Sequence, residues 1–187
     1  MKKILVVGGT GFIGFHAIKE AKKRGYNIYS ISLHQPTINR YHKGVKYIKV
    51  DISNHEKLKK KLNNIYFDYV INAGGYGEHP DFGFKGNRLI RSHLFGVINL
   101  IQLLPKKKIK KFIQIGSSLE YGKVRSPINE TVKCLPNTPY SIAKISCTNI
   151  LLNLHLNIKF PVTIFRLFQV YGPNQDDNRL LPFLIKN

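Results

Sequence analysis

Acidic residues are scarce in this chain: ten Asp and Glu stand against thirty Lys and Arg in 187 residues, a formal net charge of +20. Such an imbalance brings nucleic acid into consideration as a partner, and it would equally suit a cleft for a small anionic ligand. A nucleic-acid face interleaves aromatic or Arg side chains with its basic ones. The densest run here, Lys106, Lys107, Lys108, Lys110 and Lys111, stands just before an apolar strand and reads as a solvated turn. The chain is rich in Lys, Asn and Ile, so lysine on every exposed face is the plainer reading. Nucleic acid is therefore not expected, although charge alone does not dismiss it. Cysteine is also scarce, with only Cys134 and Cys147 and no metal-type C-x-x-C spacing. Neither a disulfide framework nor a metal site is expected, and a reduced, cytoplasmic protein is the default. Long apolar runs are missing too. After Lys2 and Lys3, the run Ile4 to Val7 breaks into glycine, too short for a signal peptide or a membrane span. There is no internal repeat, linker or low-complexity tract. By length this is one domain, able to bury roughly two thirds of its unfolded surface.

What is present begins at that apolar run, which leads into Gly8, Gly9, Thr10, Gly11, Phe12, Ile13 and Gly14 and then an amphipathic stretch to about Arg24. A buried strand, a glycine turn and a helix follow one another. Glycines at such a turn permit positive φ and let backbone N–H groups approach a pyrophosphate, which rests on the positive end of the helix. A glycine cluster alone marks any tight turn. Its place between a short apolar strand and a helix points to dinucleotide binding.

The second motif is Tyr140, Ser141, Ile142, Ala143, Lys144, which follows Gly116, Ser117 and Ser118 at the end of another apolar run. Residues at i and i+4 share a helix face, so the Lys144 charge is expected near the Tyr140 oxygen, favouring its phenolate. A tyrosine tuned in this way can serve as general base near neutral pH. On its own, such a pair is an ordinary feature of a helix surface.

Together these residues resemble the extended short-chain dehydrogenase/reductases, the NAD(P)-dependent sugar epimerases and dehydratases. The resemblance covers essentially the whole chain. It includes the G-x-x-G-x-x-G turn, Asp51-Ile52 after the third strand, Asn72-Ala73-Gly74 after the fourth, Ser117, Tyr140, Lys144, and Arg166 to Pro173, which is similar to the family's R-x-x-N-x-Y-G-P. The resemblance implies a cofactor site at Gly8, Thr10, Gly11, Phe12, Ile13, Gly14, Ser32, Asp51, Ile52, Ala73, Gly74 and Lys144. It implies catalysis by Ser117, which would hydrogen-bond the reacting sugar oxygen, Tyr140, which would move its proton, and Lys144, which would also hold the nicotinamide ribose. Ser118 and Gln169 are the substrate contacts expected on the same basis. Family members run on well beyond this length to build a sugar-binding lobe. This chain ends just after Arg179 to Phe183, near where that lobe would begin. A truncated form, a split reading frame or a natural short form is expected, with 172–187 as the lobe's first residues.

Departures from the pattern narrow the chemistry. No Asp or Glu lies between Glu20 and Asp51, where a carboxylate about twenty positions past the glycines would take the ribose hydroxyls of NAD. Ser32, His34, Arg40 and Lys43 stand there instead, and such groups could accept a 2′-phosphate, so NADP is slightly favoured over NAD. In the dehydratase branch an acid and a glutamate follow the Ser117 position; here they are Ser118 and Leu119. Glu120 comes one position late and is not expected to point at substrate. Epimerisation or reduction of a nucleotide-activated sugar therefore remains, rather than dehydration. His93 replaces a common Asn and could relay a proton, or simply pack against the sheet. Gln169 replaces the Asn of the later motif.

The alternation of β-rich runs with helical patterns argues an α/β fold: a Rossmann-type doubly wound parallel sheet with helices on both faces. Strands are expected at Ile4 to Val7, Asn27 to Ser32, Lys46 to Asp51, Tyr69 to Asn72, Phe112 to Gly116 and Val162 to Phe165. Helices are expected to about Arg24 from the glycine turn, from a Ser53–Glu56 capping box to Leu62, over Arg88 to Leu104, and over Tyr140 to Leu154. The loops Gly74 to Gly86 and Tyr121 to Pro139 are the candidates for substrate contact. Apolar residues on the last two helices (Leu94, Val97, Ile98 and Ile101; Ile145, Ile150, Leu151 and Leu154) predict a homodimer, since the resemblance implies pairing through these helices. A different class of function also stays open: a non-catalytic dinucleotide-binding module, with RNA on its basic surface.

Overall fold

The structure, a computed structural model, describes residues 1–75 and 80–186. Strands β1 (Lys3–Val7), β2 (Asn27–Ser32), β3 (Lys46–Lys49), β4 (Tyr69–Asn72), β5 (Lys111–Ser117) and β6 (Val162–Leu167) form a parallel sheet in the order β3-β2-β1-β4-β5-β6. The order reverses direction between β1 and β4. There the connections leave the sheet to opposite sides and open a crevice at the carboxyl ends of the strands, the usual ligand position in such sheets.

Period-two alternation assigns the faces. Leu5, Val7, Tyr29, Ile31, Val70 and Phe112 point to one core, where they meet Leu58 and Leu62 of α2 (His55–Leu62), Val97 and Leu100 of α3 (Phe84–Leu103), and Cys147 and Leu151 of α4 (Pro139–Ile158). Ile4, Val6 and Ile28 point the other way, onto Ile18 and Ala21 of α1 (Phe12–Lys23). Helices thus lie on both faces, with α3 and α4 also packed on each other. No helix among the described residues is long and apolar enough to cross a membrane.

Several boundaries differ from the sequence-based expectation. β3 ends at Lys49, and Asp51 turns away to accept the N–H and hydroxyl of Ser53, each at 2.8 Å. Ser53 is thereby spent on Asp51, and Asn54 caps α2 instead, accepting from Lys57 N at 3.0 Å. α3 begins a turn before Arg88, because Gly83 at φ +154 reverses the chain ahead of it and accepts from Asn87 N. α4 opens at Pro139 behind a Thr138–Ser141 capping box and runs to Ile158, where Lys159 leaves in the left-handed region at φ 55. A short α5 (Leu180–Lys186) was not expected. Of the helix residues expected at an interface, Val97 and Leu151 are core, while Leu94, Ile101 and Leu154 pack against it. In the loop expected from Gly74 to Gly86, positions 76–79 lie outside the described residues.

Candidate active site

The crevice is built from the glycine turn upward. Gly8 has φ +76, and a Cβ there would lie 2.6 Å from the Ala73 carbonyl oxygen, so β1 and β4 can meet closely only through glycine. Gly14 is held just as tightly, since a Cβ would drive into the Gly8 carbonyl. Gly11 begins α1 in extended conformation without a side-chain cap. The first turn, at Phe12, Ile13 and Gly14, lines the groove together with Ala73 and Gly74. Helix-end N–H groups without a side-chain cap are the fitting partners for a pyrophosphate.

Two connected hollows share Gly11, Ala73, Gly74 and Gly75. The first takes in Gly8, Thr10, Ser32, His34, Asp51 and Ile52. Asn72, buried, fixes its floor by accepting from Gly74 N at 3.2 Å and donating to Gln114 at 2.9 Å. The second hollow contains Ser117 at the end of β5, Tyr140 and Lys144 from the first turns of α4, His93 from α3, and Gln169 beyond β6. Ser118 does not line either hollow; it opens a 3-10 turn instead. Every other expected site residue does.

Within the second hollow, burial pushes the Tyr140 phenol above its ordinary 10.0, a hydrogen bond with the Ser117 side chain draws it back, and the Glu120 carboxylate adds to the rise against Arg179. Lys144, fully buried, is pushed down to about 8 by loss of water. Its Nζ donates to the Ile115 carbonyl at 2.9 Å and stands 5.6 Å from the centre of the Tyr140 ring. The expectation that Lys144 favours the phenolate is corrected here: the ammonium is bound to backbone, and Tyr140 moves upward. A hydroxyl, a phenol and an ammonium nonetheless line the same hollow as the glycine turn. Such a set can supply acid/base chemistry to a carbinol or carbonyl.

The sequence profile of the NAD-dependent epimerase/dehydratase family matches residues 4–187. The chain belongs to that family. It is 27% identical over 207 residues to the dTDP-D-glucose 4,6-dehydratase of Dictyostelium discoideum, an alignment covering 99% of this chain and 48% of the relative. It is 25% identical to the UDP-glucose 4-epimerase of Lactobacillus helveticus, over 99% of this chain and 59% of that enzyme. Among solved structures, the UDP-glucose 4-epimerase of Thermotoga maritima, determined with UDP-glucose, superposes with a TM-score of 0.85 at 26% identity, over 95% of this chain and 59% of that one. The chain thus spans about half the length of the relatives it matches.

Three further groups bear on the site: Glu120, expected not to point at substrate, His93, open between proton relay and packing, and Arg40, read as a possible partner of a 2′-phosphate. Glu120 is fully buried and accepts from Ser117 N, Thr148 and Arg166, so it faces the interior and not the groove. Thr148 lies one turn beyond Lys144, and that i+4 spacing was the available signal. His93 is buried with its ring edge-on to Tyr140 at 5.6 Å, and Gly75 is kept small by contact with the same ring. Arg40 reaches across the crevice to the Thr10 carbonyl at 3.2 Å, the Asn174 carbonyl at 3.0 Å and Asp176 at 2.6 Å. His16 joins the same segment through the Pro173 carbonyl at 2.8 Å.

Proposed function

We propose that this chain is the cofactor-binding part of an NAD(P)-dependent epimerase or keto-reductase that acts on a nucleotide-activated sugar by hydride transfer. The observation that carries the reading is the convergence of Ser117, Tyr140 and Lys144 on the hollow that the glycine turn opens. Bound nicotinamide would accept and return a hydride at the sugar carbon. Ser117 would hydrogen-bond the reacting oxygen. Tyr140 would take its proton on oxidation and return it on reduction. Lys144, still mostly protonated at pH 7 with a pKa of about 8, would hold the ribose hydroxyls. Ser118 and Leu119 offer no eliminating acid or base, and Glu120 is turned inward, which favours epimerisation or reduction over dehydration.

For the cofactor, Ser32 accepts from Thr10 N at 3.3 Å, and Arg40 is engaged by Asp176 and does not line the first hollow. A 2′-phosphate would find His34 as its basic neighbour there. This weighs toward NAD and against the slight preference for NADP read from the sequence. Residues 172–187 are read as the start of a substrate lobe, supported by Gln175, Asp176 and Arg179 in the lining of the second hollow. A homodimer, with Phe95 and Leu152 as exposed apolar contacts, and a cytoplasmic location complete the proposal.

Three measurements test it. Incubation of the chain with a labelled reduced cofactor and a 4-keto nucleotide-sugar should give stereospecific label transfer, lost in Tyr140→Phe by about three orders of magnitude. Label transfer that survives that substitution rejects the assignment. Calorimetric titration should find NADH bound more tightly than NADPH, with both weakened in Lys144→Ala. Sedimentation at micromolar concentration reports the dimer, and a monomer there counts against it.

A further inference from the structure

We propose that Glu120 is the positioning residue of this site: its carboxylate ties the strand end that carries Ser117 to the helix that carries Tyr140 and Lys144, and to the strand that leads to Gln169. The inference rests on the functional reading above.

The geometry is closed on every side. Oε1 accepts from Ser117 N at 2.9 Å, while Oε2 accepts from Thr148 Oγ1 at 2.8 Å and from Arg166 Nε at 3.0 Å. Arg166 in turn donates to the Tyr121 hydroxyl at 3.3 Å. A Cβ on Gly116 would lie 2.5 Å from Oε1, so glycine before Ser117 keeps the space this carboxylate occupies. The ion pair is enclosed, with the Glu120 side chain 0% and the Arg166 side chain 16% exposed. Stability alone is a poor account of such a pair. Desolvating two charges offsets most of their attraction, and a well-packed apolar replacement is often as stable. What an apolar replacement does not reproduce is a directional tie among three elements, each carrying one part of the site.

The carboxylate also acts on the phenol through space. Among the described residues, Tyr140 is faced by Glu120 from the turn after β5, Ser117 from β5, Lys144 from its own helix, His93 from α3 and Arg179 from beyond β6. Glu120 holds the phenol up, and it raises Lys144 against that residue's burial. Its charge therefore adds to burial in holding the Tyr140 phenol above its ordinary value, and it partly offsets the loss of water at Lys144. Removing the negative charge lets the phenol ionise more easily, and removing Arg166 has the reverse effect.

The test labels tyrosine with carbon-13 at Cζ, assigns the Tyr140 resonance by its loss in Tyr140→Phe, and titrates it in three variants. Glu120→Gln should lower the midpoint by on the order of half a pH unit or more. Arg166→Gln, which leaves the carboxylate unpaired, should raise it. Thr148→Val, which removes a donor but no charge, should leave the midpoint in place while lowering the melting temperature. Opposite shifts from the two ends of one ion pair establish the role, and either charge variant carries the test if the other does not fold. An unmoved midpoint in a folded charge variant, an equal shift in Thr148→Val, or failure of both charge variants to fold overturns it. No turnover enters this readout, so a chain inactive on every sugar would sink the functional reading and leave the outcome for Glu120 legible.

Discussion

Lys144 shows most clearly how the site trades stability for function. Its folded pKa of about 8 lies below the ordinary 10.5 because burial strips water from the ammonium. The unfolded chain holds this proton more tightly. Folding is therefore penalised at every pH below about 8, by about 3 kcal/mol at one pH unit per 1.4 kcal/mol, and the penalty is relieved as pH climbs from about 8 towards 10.5. Lys144→Met should be more stable than the parent by about 1–3 kcal/mol in urea melts at pH 7. The Ile115 carbonyl keeps a donor in Gln114 at 3.1 Å. The advantage should shrink at pH 9.5, and cofactor binding should fail at both. An equal advantage at the two pH values would show that burial of the charge is not its source. Cys147 stands beside Lys144 with its thiol pushed up to about 12 by burial, so it should resist a thiol reagent that consumes the partly exposed Cys134.

Whole helices and strands were legible in the sequence where the signal is local, and less so at their ends. The glycine turn, β2 and β4 follow from apolar runs and punctuation within a few residues. The start of α2 does not, because Ser53 and Asn54 are both good caps and the choice was made by Asp51, which captures Ser53. Asn54→Ala should therefore cost about 1 kcal/mol in denaturant melts, and Ser53→Ala less than half of that. The reverse ranking would restore the Ser53 cap. Contacts between distant segments were hidden altogether. Arg40 reads as a free cation until it meets Asp176, 136 positions away. Glu120 reads as a misplaced acid until Arg166, 46 positions on, pairs with it. Lys144 was placed on the correct helix face, yet the carbonyl of β5 that claims it belongs to tertiary packing.

At the scale of the molecule, the doubly wound parallel sheet followed from the βαβ alternation and from motifs in series, whereas the surface charge required the site to be interpreted. With a net charge of +20, association of the proposed anionic cofactor should be electrostatically steered. In stopped-flow measurements the association rate for NADH should fall severalfold between 50 and 500 mM salt, with a much smaller change in dissociation. A salt-independent association rate would mean that the lysines act only as solvating groups.

β1 lies between β2 and β4 at the centre of the sheet, and this has a consequence on the ribosome. The first strand to be made is the one that must wait for a partner on its second side, since Lys3 meets Asp68 only across 65 positions. At about 5–20 residues per second, that is roughly 3–13 s of synthesis. Until then Ile4 to Val7 lacks its β4 partner, and once outside the ribosome its apolar edge is a template for mispairing. The most protected strand of the finished protein is thus the most vulnerable one during its birth, and slowing initiation to space the ribosomes should raise the yield of folded chain.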